Sequence, residues 1–131
     1  MGVDETDSSR HAAAYAAGMA RRQRAALVFV YVRSIGALDV LDPSALVGLR
    51  ESHDAIAVEL RALRDEVRAL GITADYVEVI GDAATELLRI ADDRHADLLV
   101  VGRSTRRGHR VAGSVAVRLV HSGHLPVTVV P

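Results

Sequence analysis

Four large apolar residues in succession, Leu98-Leu99-Val100-Val101, follow Asp97 and stop at Gly102. A run without alternation reads as a strand buried on both faces, and such strands belong to parallel sheets covered by helices. The loop that leaves this strand therefore departs from a carboxyl end, where open α/β sheets bind ligands. Beyond the loop, Gly113-Ser114 precedes Val115-Ala116-Val117-Arg118-Leu119-Val120. Small residues there leave the free N–H groups and positive dipole end of a helix accessible to a phosphate.

The remaining segments repeat the same alternation. Met1-Gly2-Val3-Asp4 reads as the tail of a strand, and the polar Glu5-Thr6-Asp7-Ser8-Ser9 cluster opens an Ala-rich helix running to Gln23. Tyr15, Met19 and the surrounding alanines are expected on its apolar face, and Arg21, Arg22 and Arg24 complement the dipole at its end. Ala26-Leu27-Val28-Phe29-Val30-Tyr31-Val32 is a second buried strand. Asp42-Pro43 starts a long helix, since proline fits the first turn. Ile56, Leu60, Leu63, Val67 and Leu70 mark its apolar stripe, and Gly71 ends it. Asp75-Tyr76-Val77-Glu78-Val79 alternates, which suits an edge of the sheet. Gly81-Asp82 caps a helix carrying Leu87, Leu88 and Ile90, and Pro126-Val127-Thr128-Val129-Val130 is the last strand. Strand and helix alternate throughout, with connections short enough for right-handed crossovers, so the expected class is a single doubly wound α/β domain over residues 1–131.

Composition narrows the chemistry. The 131 residues fit one domain with one real core, without cysteine. The lack of cysteine excludes a disulfide framework, a thiol nucleophile and a Cys-ligated metal site. Every basic residue except histidine is arginine, so a P-loop lysine, a Schiff base and a lysine general base are impossible. No apolar run approaches about 18 residues and the start is acidic, so neither a membrane span nor a signal peptide is expected, and the chain is read as cytoplasmic. A net charge of -1, with no aromatic residue interleaved among the loop arginines, argues against nucleic acid. His121 and His124 form a His-x-x-His pair without a third committed ligand, and no metal site is expected there.

Taken together, Asp4 after strand one, Gly81-Asp82, Asp97 to Gly102 and Gly113-Ser114 resemble the universal stress protein family over nearly the whole chain. The resemblance implies a five-stranded parallel sheet in the order 3-2-1-4-5 with helices on both faces, and frequent dimers. In one branch it implies ATP or another adenine nucleotide at the ends of strands 1 and 4. Nucleotide-binding members resemble one another in a motif of Gly, two residues, Gly, nine residues, Gly, then Ser or Thr. Carried over, the first glycine falls on Gly102 and the last pair on Gly113-Ser114. Asp4 matches the aspartate facing the adenosine, and Val32 falls where strand two lines the adenine pocket.

Two departures accompany these matches. Thr105 stands where the second glycine is expected, and only ten residues separate Gly102 from Gly113, two fewer than the motif has. Two residues remove up to roughly 7 Å of chain reach. The first strand is also short, below the roughly five or six residues usual for one, so either the sheet has a short central strand or the start lies further upstream, the second being the expectation.

Arg103, Arg106, Arg107 and Arg110 bring four guanidinium groups to the shortened loop, each able to grip phosphate oxygens through paired donors. They either replace the missing glycine contacts or form a solvated surface loop. Ser114 is a phosphate contact or a simple cap, and Asp4 an adenosine contact or the N-cap of the first helix. The cofactor-binding set is Asp4, Val32, Gly102, Arg103, Arg106, Arg107, Gly113 and Ser114, with no catalytic residues. The implied function is a stress-response sensor or regulator that binds ATP or a related adenine nucleotide and is not an enzyme. The alternative is a dimeric interaction module without nucleotide, pairing through Val127 to Val130 as a homodimer.

Overall fold

The computed structural model describes residues 1–3, 7–33, 43–103 and 115–131. Nine elements alternate along it. They are β1 (Gly2–Val3), α1 (Asp7–Gln23), β2 (Leu27–Arg33), α2 (Pro43–Ala69), β3 (Ala74–Ile80), α3 (Ala83–Asp93), β4 (Leu99–Gly102), α4 (Val115–Ser122) and β5 (Val127–Val130). No described helix is long and apolar enough to cross a membrane.

All pairing is parallel and falls into two ladders, β1-β2-β3 and β4-β5. Phe29 lies opposite Tyr76, Val30 opposite Gly2, and Leu99 opposite Val127. The Met1 nitrogen donates to the Val28 carbonyl at 2.8 Å and the Val30 N–H to the Met1 carbonyl at 2.8 Å, which extends the short β1 ladder by a residue. The expected continuous order 3-2-1-4-5 is thus resolved only as these two ladders. Side chains nevertheless meet across the gap, since a Cβ on Gly2 would stand 3.4 Å from Val101 Cγ1 and 2.9 Å from Leu87 Cδ1. A residue larger than glycine would have to displace Leu87 there.

Side-chain alternation along the strands divides the core into two clusters. Phe29, Tyr31 and Val100 pack with Ala12, Ala16, Leu60 and Val67 of α1 and α2. Val30, Leu99 and Val101 pack with Leu87, Ile90, Ala116 and Leu119 of α3 and α4. Helices therefore cover both faces, as the unbroken apolar runs require. Among the described residues β3 pairs only with β2, and it is half-buried along most of its length, which fits its alternating sequence.

Polar contacts fasten α2 to this edge. Tyr31 Oη and His53 Nδ1 share a hydrogen bond of 2.5 Å, and the Arg61 guanidinium lies 5.7 Å from the Tyr76 ring centre. Tyr76 donates to Glu78 Oε2 at 3.2 Å, and Glu78 also receives Arg33 Nη1 at 3.1 Å. Burial, helped by the Glu78 carboxylate, pushes the Tyr76 phenol up to about 12. The phenol thus stays a donor at any physiological pH.

Two side-chain expectations are corrected. Tyr15 is 43% exposed, because the inward face of α1 is formed by the expected alanines, with Ala12, Ala13, Ala16 and Ala20 buried, and leaves the tyrosine outside it. Leu70 is 64% exposed, because α2 ends at Ala69 and the chain turns away at Gly71, whose φ of 79° is the left-handed conformation expected of a C′ glycine.

Candidate functional site

The carboxyl ends of β1, β2 and β4 converge at one place, and three helices begin beside it. A cavity of about 150 Å³ occupies this crevice. Gly2 of β1, Val32 of β2 and Gly102 of β4 line it, together with Ala83 at the start of α3 and Val115 at the start of α4. The lining includes Ser9 in the first turn of α1, which is buried. Strand side chains supply apolar walls, while α3 and α4 begin beside them with the positive ends of their dipoles. Such a crevice suits a flat apolar group joined to an anion.

Two larger cavities lie elsewhere. One of about 600 Å³ runs between α1 and α2, lined by Ala13, Ala17, Leu63 and Val67, with the Arg10–Glu59 ion pair of 2.8 Å at its edge. Another, of about 300 Å³, lies at the amino ends of the strands beside Met1, Val28 and Leu99. Neither touches a strand carboxyl end. Of these three cavities among the described residues, the small one combines that position with helix N-termini, and in open α/β sheets position outweighs volume.

Of the residues expected in a site, Val32 and Gly102 are brought together in this cavity. Arg103 follows directly, and its backbone N–H donates to the Val130 carbonyl at 2.7 Å, carrying the β4-β5 ladder one step further. Its side chain is exposed. Asp4, Arg106, Arg107, Gly113 and Ser114 lie outside the described residues, as do Thr105, Gly108 and Arg110. Among the described residues no three His, Asp or Glu side chains gather as a metal-holding group.

Sequence reading missed the polar bridge beside the cavity. Asp82 is the N-cap of α3, and its Oδ1 accepts from the Thr85 N–H at 3.0 Å and the Thr85 hydroxyl at 2.7 Å. The D-x-x-T spacing signals that cap. The same carboxylate receives Arg118 of α4 in a paired fork, Nη1 to Oδ2 at 2.7 Å and Nη2 to Oδ1 at 2.6 Å. Arg118 first, then the Thr85 donors, hold the Asp82 carboxyl well below the usual carboxylate range.

The sign of the pH effect follows. A depressed folded-state value stabilises above the unfolded value of about 3.9 and loses that stabilisation as pH falls toward the folded value. Asp82→Asn should therefore lower the urea midpoint at pH 7, and the gap from wild type should begin to narrow below about pH 4 and shrink further as pH falls. A gap independent of pH would show that the ionised carboxylate contributes nothing through these bonds.

With this geometry in view, the chain can be set beside known proteins. The family model described as "Universal stress protein family" matches residues 1–131. Universal stress protein MJ0531 of Methanocaldococcus jannaschii is 27% identical over 144 residues, covering 98% of this chain and 78% of that protein. Universal stress protein UspA from Lactobacillus plantarum superposes with a TM-score of 0.82 at 24% identity, over 99% of this chain and 94% of that one. A universal stress protein solved in complex with cAMP superposes with a TM-score of 0.73 at 26% identity, over 99% and 92% of the two chains.

Proposed function

The chain belongs to the universal stress protein family, and from that premise we propose that it binds ATP or a related adenine nucleotide at the ends of strands 1 and 4. In this reading it acts as a stress-response sensor or regulator in the cytoplasm and is not an enzyme. The observation that carries it is the meeting of Val32 and Gly102 in one cavity between the first turns of α3 and α4. A relative in complex with cAMP supports the choice of an adenine nucleotide.

Size and chemistry limit which part of the ligand is held where. The cavity, about 150 Å³, falls below the roughly 300–1,000 Å³ of small-molecule sites, so the described residues enclose part of a nucleotide. Val30, Val32 and Val101 offer the apolar surface a base needs. The phosphates in this reading lie past Gly102 toward the start of α4, and Arg106, Arg107, Gly113 and Ser114 are assigned to them from the sequence. With β1 set against β4 at Gly2 and Val101, the two ladders join as one sheet in the order 3-2-1-4-5.

The test has two stages. Protein purified without added nucleotide is denatured and the released small molecules are identified by chromatography, after which ATP, ADP and AMP are titrated calorimetrically. Stoichiometric adenine nucleotide, or a micromolar dissociation constant lost in Gly113→Val, is expected. Arg106→Ala with Arg107→Ala should weaken binding severalfold more than Arg21→Ala with Arg22→Ala. Equal effects would reduce the loop arginines to solvated surface.

One observation favours a second reading, a homodimeric interaction module paired through Val127 to Val130. β5 pairs only with β4 among the described residues, its own Val129 is 42% exposed, and Val117 and Val120 of the preceding helix α4 are 45% and 53% exposed. An apolar strand edge in that setting is an association surface. Neither released nucleotide nor heat of binding would leave this module as the function.

A further inference from the structure

The Asp82–Arg118 bridge has a role that capping alone does not explain. A carboxylate at the N-terminus of α3 stabilises that helix, yet it also places a negative charge one residue from Ala83, which lines the cavity. Adjacent Cα atoms are about 3.8 Å apart, and charges interact with little screening within a Debye length of about 8 Å. Left alone, Asp82 would repel any anion drawn to the starts of α3 and α4.

Arg118 stands in the first turn of α4, three residues after Val115, another residue of the lining. Both of its terminal nitrogens are spent on Asp82, at 2.7 and 2.6 Å, so its charge sits directly on the carboxylate. The other acid of that turn is treated alike. Glu86 lies against Gly81, and its Oε2 receives Arg89 Nη2 at 2.8 Å. The cap and first-turn carboxylates of α3 are thus both paired with arginine, Arg118 serving Asp82 and Arg89 bridging Glu86 and Asp93.

Resting on the nucleotide reading above, we propose that Arg118 is a positioning residue for anionic ligands, cancelling the charge of Asp82 beside the cavity and tying the starts of α3 and α4 together. The ligand class it selects is a phosphate-bearing nucleotide over the uncharged nucleoside. A merely structural strap would favour both equally.

Four proteins and two ligands separate these roles. Arg118→Gln should bind ATP roughly fivefold more weakly than wild type at low salt, with adenosine affinity unchanged. The ATP deficit should shrink in 0.5 M salt, since the exposed charge is then screened at about 4 Å. Arg118→Lys, which keeps the charge without the fork, should retain most of the ATP affinity, and Asp82→Asn with Arg118→Gln should return it to near wild type. Equal losses for ATP and adenosine, or no loss in Arg118→Gln, would overturn the proposal while leaving nucleotide binding intact. Wild type that binds neither ligand would overturn the nucleotide reading and this inference with it. Arg118→Lys and the double variant keep the comparison available should Arg118→Gln prove unstable.

Discussion

Phe29→Ala is expected to destabilise the protein by about 3–5 kcal/mol, measured by urea or guanidinium denaturation. The side chain is fully buried in the middle of β2, paired with Tyr76 on β3 and packed in the cluster beneath α1 and α2. Removing the ring costs the transfer free energy of its atoms and leaves a cavity whose walls cannot collapse. On the α1 side those walls are Ala12, Ala13 and Ala16, which carry no rotatable side chain to refill the space. Total stabilities are only about 5–15 kcal/mol, so the variant should be close to its folding limit at 37 °C. Leu119→Ala probes the opposite face, where Leu119 is equally buried, and should cost about 2–5 kcal/mol. A loss under about 1 kcal/mol for Phe29→Ala would mean that the α1-α2 face contributes little to the core.

The reason Phe29 is so exposed to damage is also the reason the fold was legible. Its strand, like Leu99 to Val101, is apolar without a break because helices lie on both sides, and that pattern needs no long-range information to be seen. Gly71 and Asp82 were legible as helix punctuation, since each acts within three residues of its own position. Tyr15 was misplaced because an alanine-rich helix has no unique apolar stripe. What decides its orientation is the close approach to β4 and β5, which alanine permits and tyrosine does not. Leu70 kept the period of α2 but fell past its end.

The site was legible in a different degree. Gly102 ends β4 and Val32 lies one residue short of the end of β2, both in strands that the apolar pattern had located, and the family resemblance assigned them to the nucleotide site. The bridge from Asp82 to Arg118 spans 36 residues and leaves no periodic trace, so only the folded arrangement brings it together. Gly2 was readable as the tail of a strand but not as a point of close packing, for its constraint comes from Leu87 and Val101 in distant elements. The approach of Gly2 to Val101 is likewise a matter of spatial order, which the local sequence does not encode.

Ala83→Phe should lower ATP affinity at least tenfold while the melting temperature stays within a few degrees of wild type. Ala83 is the first residue of α3, partly exposed, with its methyl group on the wall of the cavity. The first helical position tolerates most side chains, because its N–H has no partner within the helix and its side chain meets no preceding turn. A phenyl ring therefore adds bulk where the fold can accept it, and a space of about 150 Å³ leaves no room for both the ring and a base. Ala83→Ser adds a single oxygen at the same place and should bind as wild type does. The pair separates occupancy of the cavity from stability of the helix, since both variants keep Asp82 as the cap and its bond to Arg118. ATP binding unchanged in Ala83→Phe would place the nucleotide outside this crevice. The larger space between α1 and α2 would then be the next to block, with Gly18→Leu as the corresponding variant.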